Sequence, residues 1–171
     1  MLGAHPSVCT FAELKLYDSY IAPWIKAWEG QISLQKYDDF SGLPTVWSEE
    51  ELYDFLREFL TRVYERVLAT KPEATILLDK HPGYSDHVEY INRLIPNARF
   101  IHVIRDGRDV VASLLAASQG WGKLWAPKDV ESAASIWKKH VLAAREAHKY
   151  DGRYLEVRYE ELLTALHRFV G

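Results

Sequence analysis

The sequence predicts an α/β fold whose mostly parallel sheet is flanked by helices, and three observations carry that prediction. Phe100–Ile104 reads F-I-H-V-I, a β-branched and aromatic run that is almost continuously apolar. Such a run suits a parallel-sheet strand buried on both faces. Ser48-Glu49-Glu50-Glu51 is a capping box, and Leu52, Phe55, Leu56, Phe59, Leu60, Val63 and Val67 form one apolar helical stripe behind it. Finally, short apolar runs alternate with helical periods along the chain. Strands separated by helices pair in parallel through right-handed crossovers.

Taken in order, Met1 and Leu2 read as the last turn of a helix, which His5-Pro6 breaks. Val8 to Phe11 is a short strand. Leu14, Tyr17, Ile21, Trp24, Ile25 and Trp28 give helical spacing from Glu13 to Trp28, with a bend expected at Pro23. Gly30 to Thr45 is polar, contains Gly42 and Pro44, and reads as an irregular loop over a site. The capped helix then runs from Ser48 to just before Lys71-Pro72. Thr75 to Leu78 is a short buried strand ended by Asp79-Lys80-His81-Pro82. Ser85 or Asp86 caps a helix through Val88, Ile91, Leu94 and Ile95. After the central strand and its helix, Gln119 to Lys128 is a loop, and Asp129 caps a long helix bearing Ala133, Ile136, Trp137, Val141 and Ala144. Tyr154 to Val157 is the last strand, and Arg158-Tyr159-Glu160-Glu161 leads into the last helix. No repeat, low-complexity tract or linker marks a domain boundary.

The 171 residues are 48% hydrophobic and 26% charged, with a net charge of −3, as expected of one globular domain with a core. The slight acidity argues against general nucleic-acid binding. Cys9 is the only cysteine, so no internal disulfide exists, and it reads as a small buried residue. No apolar run of about 18 residues would span a membrane, and no charged-then-apolar signal pattern occurs in these residues. The expected location is cytoplasmic.

Arg105-Asp106-Gly107-Arg108 must end the central strand, and Asp106 or Asp109 can cap the helix that follows. The turn lies at the carboxyl end of a strand, where open α/β sheets bind ligands. Unpaired helix-start N–H groups and the arginines make a phosphate the natural guest. Ser113 lies eight residues after Arg105, about two turns into the helix. The plainer alternative is a solvated helix start with two local ion pairs.

Four stretches, in order, resemble the sulfotransferases that use 3′-phosphoadenosine 5′-phosphosulfate (PAPS), especially their tyrosylprotein-like and bacterial branch. They are M-L-G-A-H-P…A-E-L-K, L-L-D-K-H-P, R-D-G-R-D-V-V-A-S and R-Y-L-E-V-R-Y-E-E-L-L. The resemblance implies in-line transfer of a sulfuryl group from PAPS to a hydroxyl on a carbohydrate, peptide or small metabolite, with no metal. A second copy of the chain stays open as a further partner. It implies that Arg105 and Ser113 hold the 3′-phosphate and that Tyr159 packs near the nucleotide. Glu13 aligns with the general base and Lys80 with the lysine beside the sulfuryl group. His81 is an alternative base, although relatives that use such a histidine have Lys-x-His rather than Lys-His. His5 and His102 read as structural.

The family's 5′-phosphosulfate loop, a strand followed by a basic Ser/Gly/Thr turn, would stand before Met1, and no G-x-x-x-x-G-K-S/T occurs in the sequence. The expectation is a P-loop-NTPase-like fold truncated at its N-terminus, with residues 1–171 a single incomplete domain, unstable and inactive alone. A non-catalytic nucleotide-binding or interaction remnant of the same fold is the alternative. A nucleotide kinase relative is disfavoured, because the Walker-type lysine is missing.

Overall fold

Strands and helices alternate in the computed structural model, which describes residues 2–35, 37 and 41–170, with side chains in the last helix through Ala165. The chain divides into two compact units, Met1–Pro96 and Asn97–Gly171.

In the first unit, β1 (Val8–Thr10) pairs in parallel with β2 (Ile76–Leu78), Val8 opposite Ile76 and Thr10 opposite Leu78. Two helices form the crossover, α1 (Ala22–Gln35) and α2 (Glu49–Leu68). The core comes from Tyr17, Ile21, Ile25 and Trp28 on one side and Leu52, Tyr53, Leu56 and Leu60 of α2 on the other. Leu94 of α3 (Val88–Leu94) joins them. Cys9 is buried, and its Sγ donates to the Val67 carbonyl at 3.2 Å, as suits a packed structural cysteine. Met1 lies outside the described residues, and Leu2–Ala4 forms a single 3₁₀ turn.

Four expectations change here. The helix expected from Glu13 begins later, as a π turn over Tyr17–Ile21, in which Ala22 N–H reaches the Tyr17 carbonyl. Pro23 follows directly. It has no N–H to give to the preceding turn, so the expected bend takes the form of a widened turn. Second, α1 continues through Gly30 to Gln35, in place of the expected loop. Beyond Trp28 no apolar stripe faces the core, and Ile32 and Leu34 lie exposed among polar residues. The returning chain docks there, with Leu43 N–H donating to Gln31 Oε1 at 3.1 Å. Gly42 makes that approach at φ +86°, and a Cβ on it would collide with Gln31. Residues 36 and 38–40 of the expected loop lie outside the described set. Third, neither Ser85 nor Asp86 caps α3. Pro82–His87 is a 3₁₀ segment that leads straight into it, and Ser85 bonds the Pro82 carbonyl instead. Fourth, β2 is not buried at its start, since Ile76 is exposed.

The second unit is a parallel pair of β3 (Phe100–Ile104) and β4 (Tyr154–Arg158), joined through α4 (Gly107–Ser118) and α5 (Val130–Arg145) and followed by α6 (Tyr159–Val170). The register sets Phe100 opposite Tyr154 and Ile104 opposite Arg158. Asp106 and Asp129 cap α4 and α5 through their side chains, the first resolving the choice with Asp109. Gly107 lets the chain pass close to α5, since a Cβ there would crowd the Trp137 ring at 3.1 Å. The strand expected to be buried on both faces is buried only at Ile104, while Ile101, Val103 and Leu155 are exposed. The described strands form two separate parallel pairs rather than one wide sheet, so the apolar run has fewer neighbours than a central strand. Among the described residues no helix is long and apolar enough to cross a membrane.

Between α5 and β4 lies a polar chain. His102 Nδ1 lies 2.8 Å from Tyr154 Oη, Tyr154 donates to Glu156 at 2.9 Å, and Arg145 grips Glu156 with two bonds of 2.8 Å. The Arg145 guanidinium holds the Glu156 carboxyl down to about 2, while burial lowers His102 and so favours its neutral ring. His102 is thus engaged within the strand pair, and His5 Nδ1 accepts from Ser7 N–H at 3.2 Å.

Both the helix cap and this polar chain can be tested by stability. Ser48→Ala removes the capping box seen at the start of α2 and should lower stability by about 1 kcal/mol in a denaturant melt. Glu156 titrates lower folded than in an unfolded chain, where a glutamate titrates near ~4.3. Its contribution is therefore present above that value and lost as pH falls through about 2. Wild type should be more stable than Glu156→Gln at about pH 7, and the gap between their melts should close from about pH 5 down to about pH 2. A gap that stays constant with pH would refute the assignment.

Candidate active site

Parallel pairing puts the ends of β1 and β2 side by side. The segment after β1 carries Glu13, and the one after β2 carries Asp79, Lys80 and His81. There Lys80 Nζ donates to Glu13 Oε1 at 2.9 Å, and His81 Nδ1 lies 3.1 Å from Glu13 Oε2. All three residues singled out for chemistry in this part of the sequence therefore meet. Glu13 does not begin a helix. It sits in an irregular segment whose Lys15 adopts φ +53°, a left-handed conformation uncommon for a residue with a Cβ.

Half-buried tyrosines hold the two segments together. Leu16 N–H donates to Tyr84 Oη at 3.0 Å, and Tyr84 donates in turn to Asp79 Oδ2 at 3.0 Å. Tyr64 Oη gives a second bond to the same oxygen at 3.1 Å. Burial pushes the Tyr64 and Tyr84 hydroxyls well above their ordinary range, with the Asp79 charge adding to it, so both remain protonated donors. Asp79 thereby fixes the turn that presents Lys80 and His81, while Leu16 ties in the strand-end segment of Glu13. The Lys80 hydrogen bond is the largest influence on Glu13 and holds its carboxyl below the usual range. Partial burial opposes this, and His81 adds to the lowering. The carboxylate is thus ionised and able to accept a proton.

Asp18, Asp79 and His87 are neighbours of the site that sequence reasoning does not single out. Asp18 Oδ2 lies 3.4 Å from His81 Nε2, and its Oδ1 lies 3.3 Å from His87 Nε2. These are ion-pair distances rather than aligned hydrogen bonds, since Asp18 Oδ2 has no hydrogen-bond partner among the described residues. A carboxylate five residues beyond Glu13 is the one signal the sequence offers.

In the second unit, the register that pairs Ile104 with Arg158 makes Arg105 and Tyr159 the next residues of adjacent strands. The Arg105 guanidinium lies 5.5 Å from the centre of the Tyr159 ring. Glu160 Oε1 accepts from Asp106 N–H at 2.9 Å, and Asp109 lies 3.5 Å from Arg105. Ser113 lies on α4 four residues beyond Asp109, with its side chain exposed, and no hydrogen bond joins it to Arg105 among the described residues. Arg108, expected to add free charge to the turn, is already paired. Its Nε and Nη2 bond Asp106 at 3.1 and 2.7 Å, and the guanidinium holds the Asp106 carboxyl down to about 2. An apolar cavity of about 610 Å³ opens beside this corner, between Val111 and Leu115 of α4 and Val130 and Trp137 of α5. Among the described residues no group of three or more His, Cys, Asp and Glu is arranged to hold a metal ion.

Comparison with known proteins agrees with these motifs. Protein-tyrosine sulfotransferase 1 of Homo sapiens is 28% identical over 119 residues, which is 68% of this chain and 29% of that protein. A putative protein-tyrosine sulfotransferase of Caenorhabditis elegans is 30% identical over 115 residues, 67% of this chain and 39% of that protein. The chain thus spans about a third of the length of these curated relatives. No solved structure matches at the significance these relatives reach. Residues 1–170 match the model of the Sulfotransferase family, and the chain belongs to that family.

Proposed function

We propose that this protein is a PAPS-dependent sulfotransferase of P-loop-like α/β fold, with residues 1–171 belonging to a single domain. The carrying observation is the Glu13 carboxylate, held between Lys80 and His81 at the joined ends of β1 and β2. A carboxylate base beside a mobile ammonium group is what hydroxyl-to-sulfur transfer requires. Bound PAPS supplies the activated sulfuryl group. Glu13 takes the proton as the acceptor O–H breaks. The acceptor oxygen bonds to sulfur, and the bond from sulfur to the 5′-phosphate oxygen breaks. Lys80, 63% exposed at its side chain, can leave Glu13 to meet the charge developing on that oxygen.

The second corner fits the nucleotide's 3′-phosphate. Arg105 is exposed, and the contacts at the corner already include carboxylate oxygens from Asp109 and Glu160, the kind of oxygen a phosphate offers. In this reading Arg105 and Ser113 bind that phosphate, while Tyr159 supports the guanidinium from below. The acceptor is a hydroxyl on a carbohydrate, peptide or small metabolite, and the names of the matched relatives favour a protein tyrosine.

Transfer of labelled sulfate from PAPS onto hydroxyl acceptors by the full-length protein tests the reading. Nucleotide binding without any transfer would instead identify a non-catalytic member. Arg105→Ala should weaken adenosine 3′,5′-bisphosphate roughly tenfold or more and spare adenosine 5′-monophosphate, because a charge-assisted contact is lost only with the first. Equal losses in calorimetry would remove Arg105 from this role. Glu13→Gln should cut turnover by roughly 10²-fold or more while nucleotide affinity holds, as loss of a general base does. Unchanged turnover would pass the role to His81.

A further inference from the structure

The Glu13 carboxylate has two polar partners of unlike kind. Lys80 is a long, exposed side chain. His81 is 16% exposed at its side chain and is wedged on three sides. Its Nδ1 faces Glu13, its Nε2 faces Asp18, and its ring meets Tyr84 edge-on with centroids 5.4 Å apart. Asp18 stands in the π turn, a widened turn often found at functional sites. It is confined from behind, since His87 Nε2 lies 3.3 Å from its Oδ1. The 3₁₀ backbone also closes on it, because a Cβ on Gly83 would collide with the same oxygen.

We propose that Asp18 is a positioning residue: through the His81 ring it fixes the Glu13 carboxylate and leaves Lys80 as the one contact able to move. This deepens the sulfotransferase reading and rests on it for the role of Glu13. A histidine ring is oriented by what each nitrogen faces, and a carboxylate on the far nitrogen holds the near one on its target. Here the near target is Glu13 Oε2. Lys80 can then depart from Oε1 without the carboxylate swinging away, so the freed oxygen stays where the acceptor proton must arrive. Besides the two carboxylates, the charged or titratable groups around His81 are Lys80 next in sequence, Tyr84 on its ring face with Asp79 behind it, and His87 behind Asp18.

The test uses the full-length protein, with Asp18→Ala, Asp18→Asn and Gly83→Ala. The last variant displaces Asp18 without removing any polar group. Two quantities are read: kcat and KM for transfer from PAPS, and the His81 ring ¹⁵N signals, assigned against His81→Gln, with no substrate present. Asp18→Ala and Gly83→Ala should lower kcat roughly ten- to hundredfold with KM nearly unchanged, the size expected for a misplaced catalytic group. Both should also move the His81 ring signals, and Asp18→Asn, which keeps the shape and a polar contact, should restore part of kcat. Ring signals unaltered in both alanine variants would overturn the proposal, and so would a loss confined to KM. Because the ring signals need no turnover, the two ideas fail separately. A wild-type protein that transfers nothing while Asp18→Ala still moves the ring would end the sulfotransferase reading but leave the positioning contact in place.

Discussion

Parallel pairing is the constraint on which both clusters depend. Two parallel strands end at the same edge, so residues far apart in sequence emerge side by side. In the first unit, Thr10 opposite Leu78 delivers Glu13 to the Lys80-His81 turn across 67 residues of chain. In the second, Ile104 opposite Arg158 delivers Arg105 to Tyr159 and Asp106 to Glu160. An antiparallel pair would have sent these partners to opposite edges. A slip of one residue would have turned each side chain to the other face.

The tyrosine–aspartate tie adds the precision that strand pairing lacks. A strand end can sway, but Asp79 accepts from two hydroxyls that burial keeps protonated, and one of them also accepts the Leu16 N–H. These groups are partly withdrawn from water, so leaving any of them unpaired is costly and the tie resists opening. The left-handed Lys15 is tolerated on the same account. Its cost is roughly 1–3 kcal/mol, and it persists because the contacts on either side determine the path of the chain.

Local chemistry is legible in the sequence, and longer-range relations are not. The Ser48 capping box can be read from four adjacent residues and is present in full, because both of its hydrogen bonds are local. Glu13, Lys80 and His81 stand out as residues, yet their meeting depends on a register that neither strand states alone. Asp18 escapes notice because its partners, His81 and His87, lie on another element. The extension of α1 to Gln35 escapes for a different reason: Gly30 and polar residues interrupt it and its Ile32 and Leu34 are exposed, so no apolar stripe marks it. The exposure of Ile101 and Val103 shows the converse error, where composition suits a fully buried strand but the described neighbours cover only part of it.

The two arginines of the R-D-G-R turn illustrate how context divides like residues. Arg108 makes two side-chain bonds to Asp106, and that carboxylate also caps α4 by accepting from the Arg108 N–H at 2.8 Å. An incoming anion would have to compete with that carboxylate for the Arg108 guanidinium. Among the described residues the Arg105 guanidinium meets the exposed Asp109 at 3.5 Å and a ring 5.5 Å away. An exposed ion pair of that kind is worth about 0–1 kcal/mol, whereas a phosphate offers shorter, charge-assisted and often paired bonds. In the proposed reading, exchange of Asp109 for phosphate at Arg105 replaces one long, exposed contact with shorter, charge-assisted ones. The proposal of the first arginine as the anion reader thus rests on its weaker existing partner, not on its greater charge.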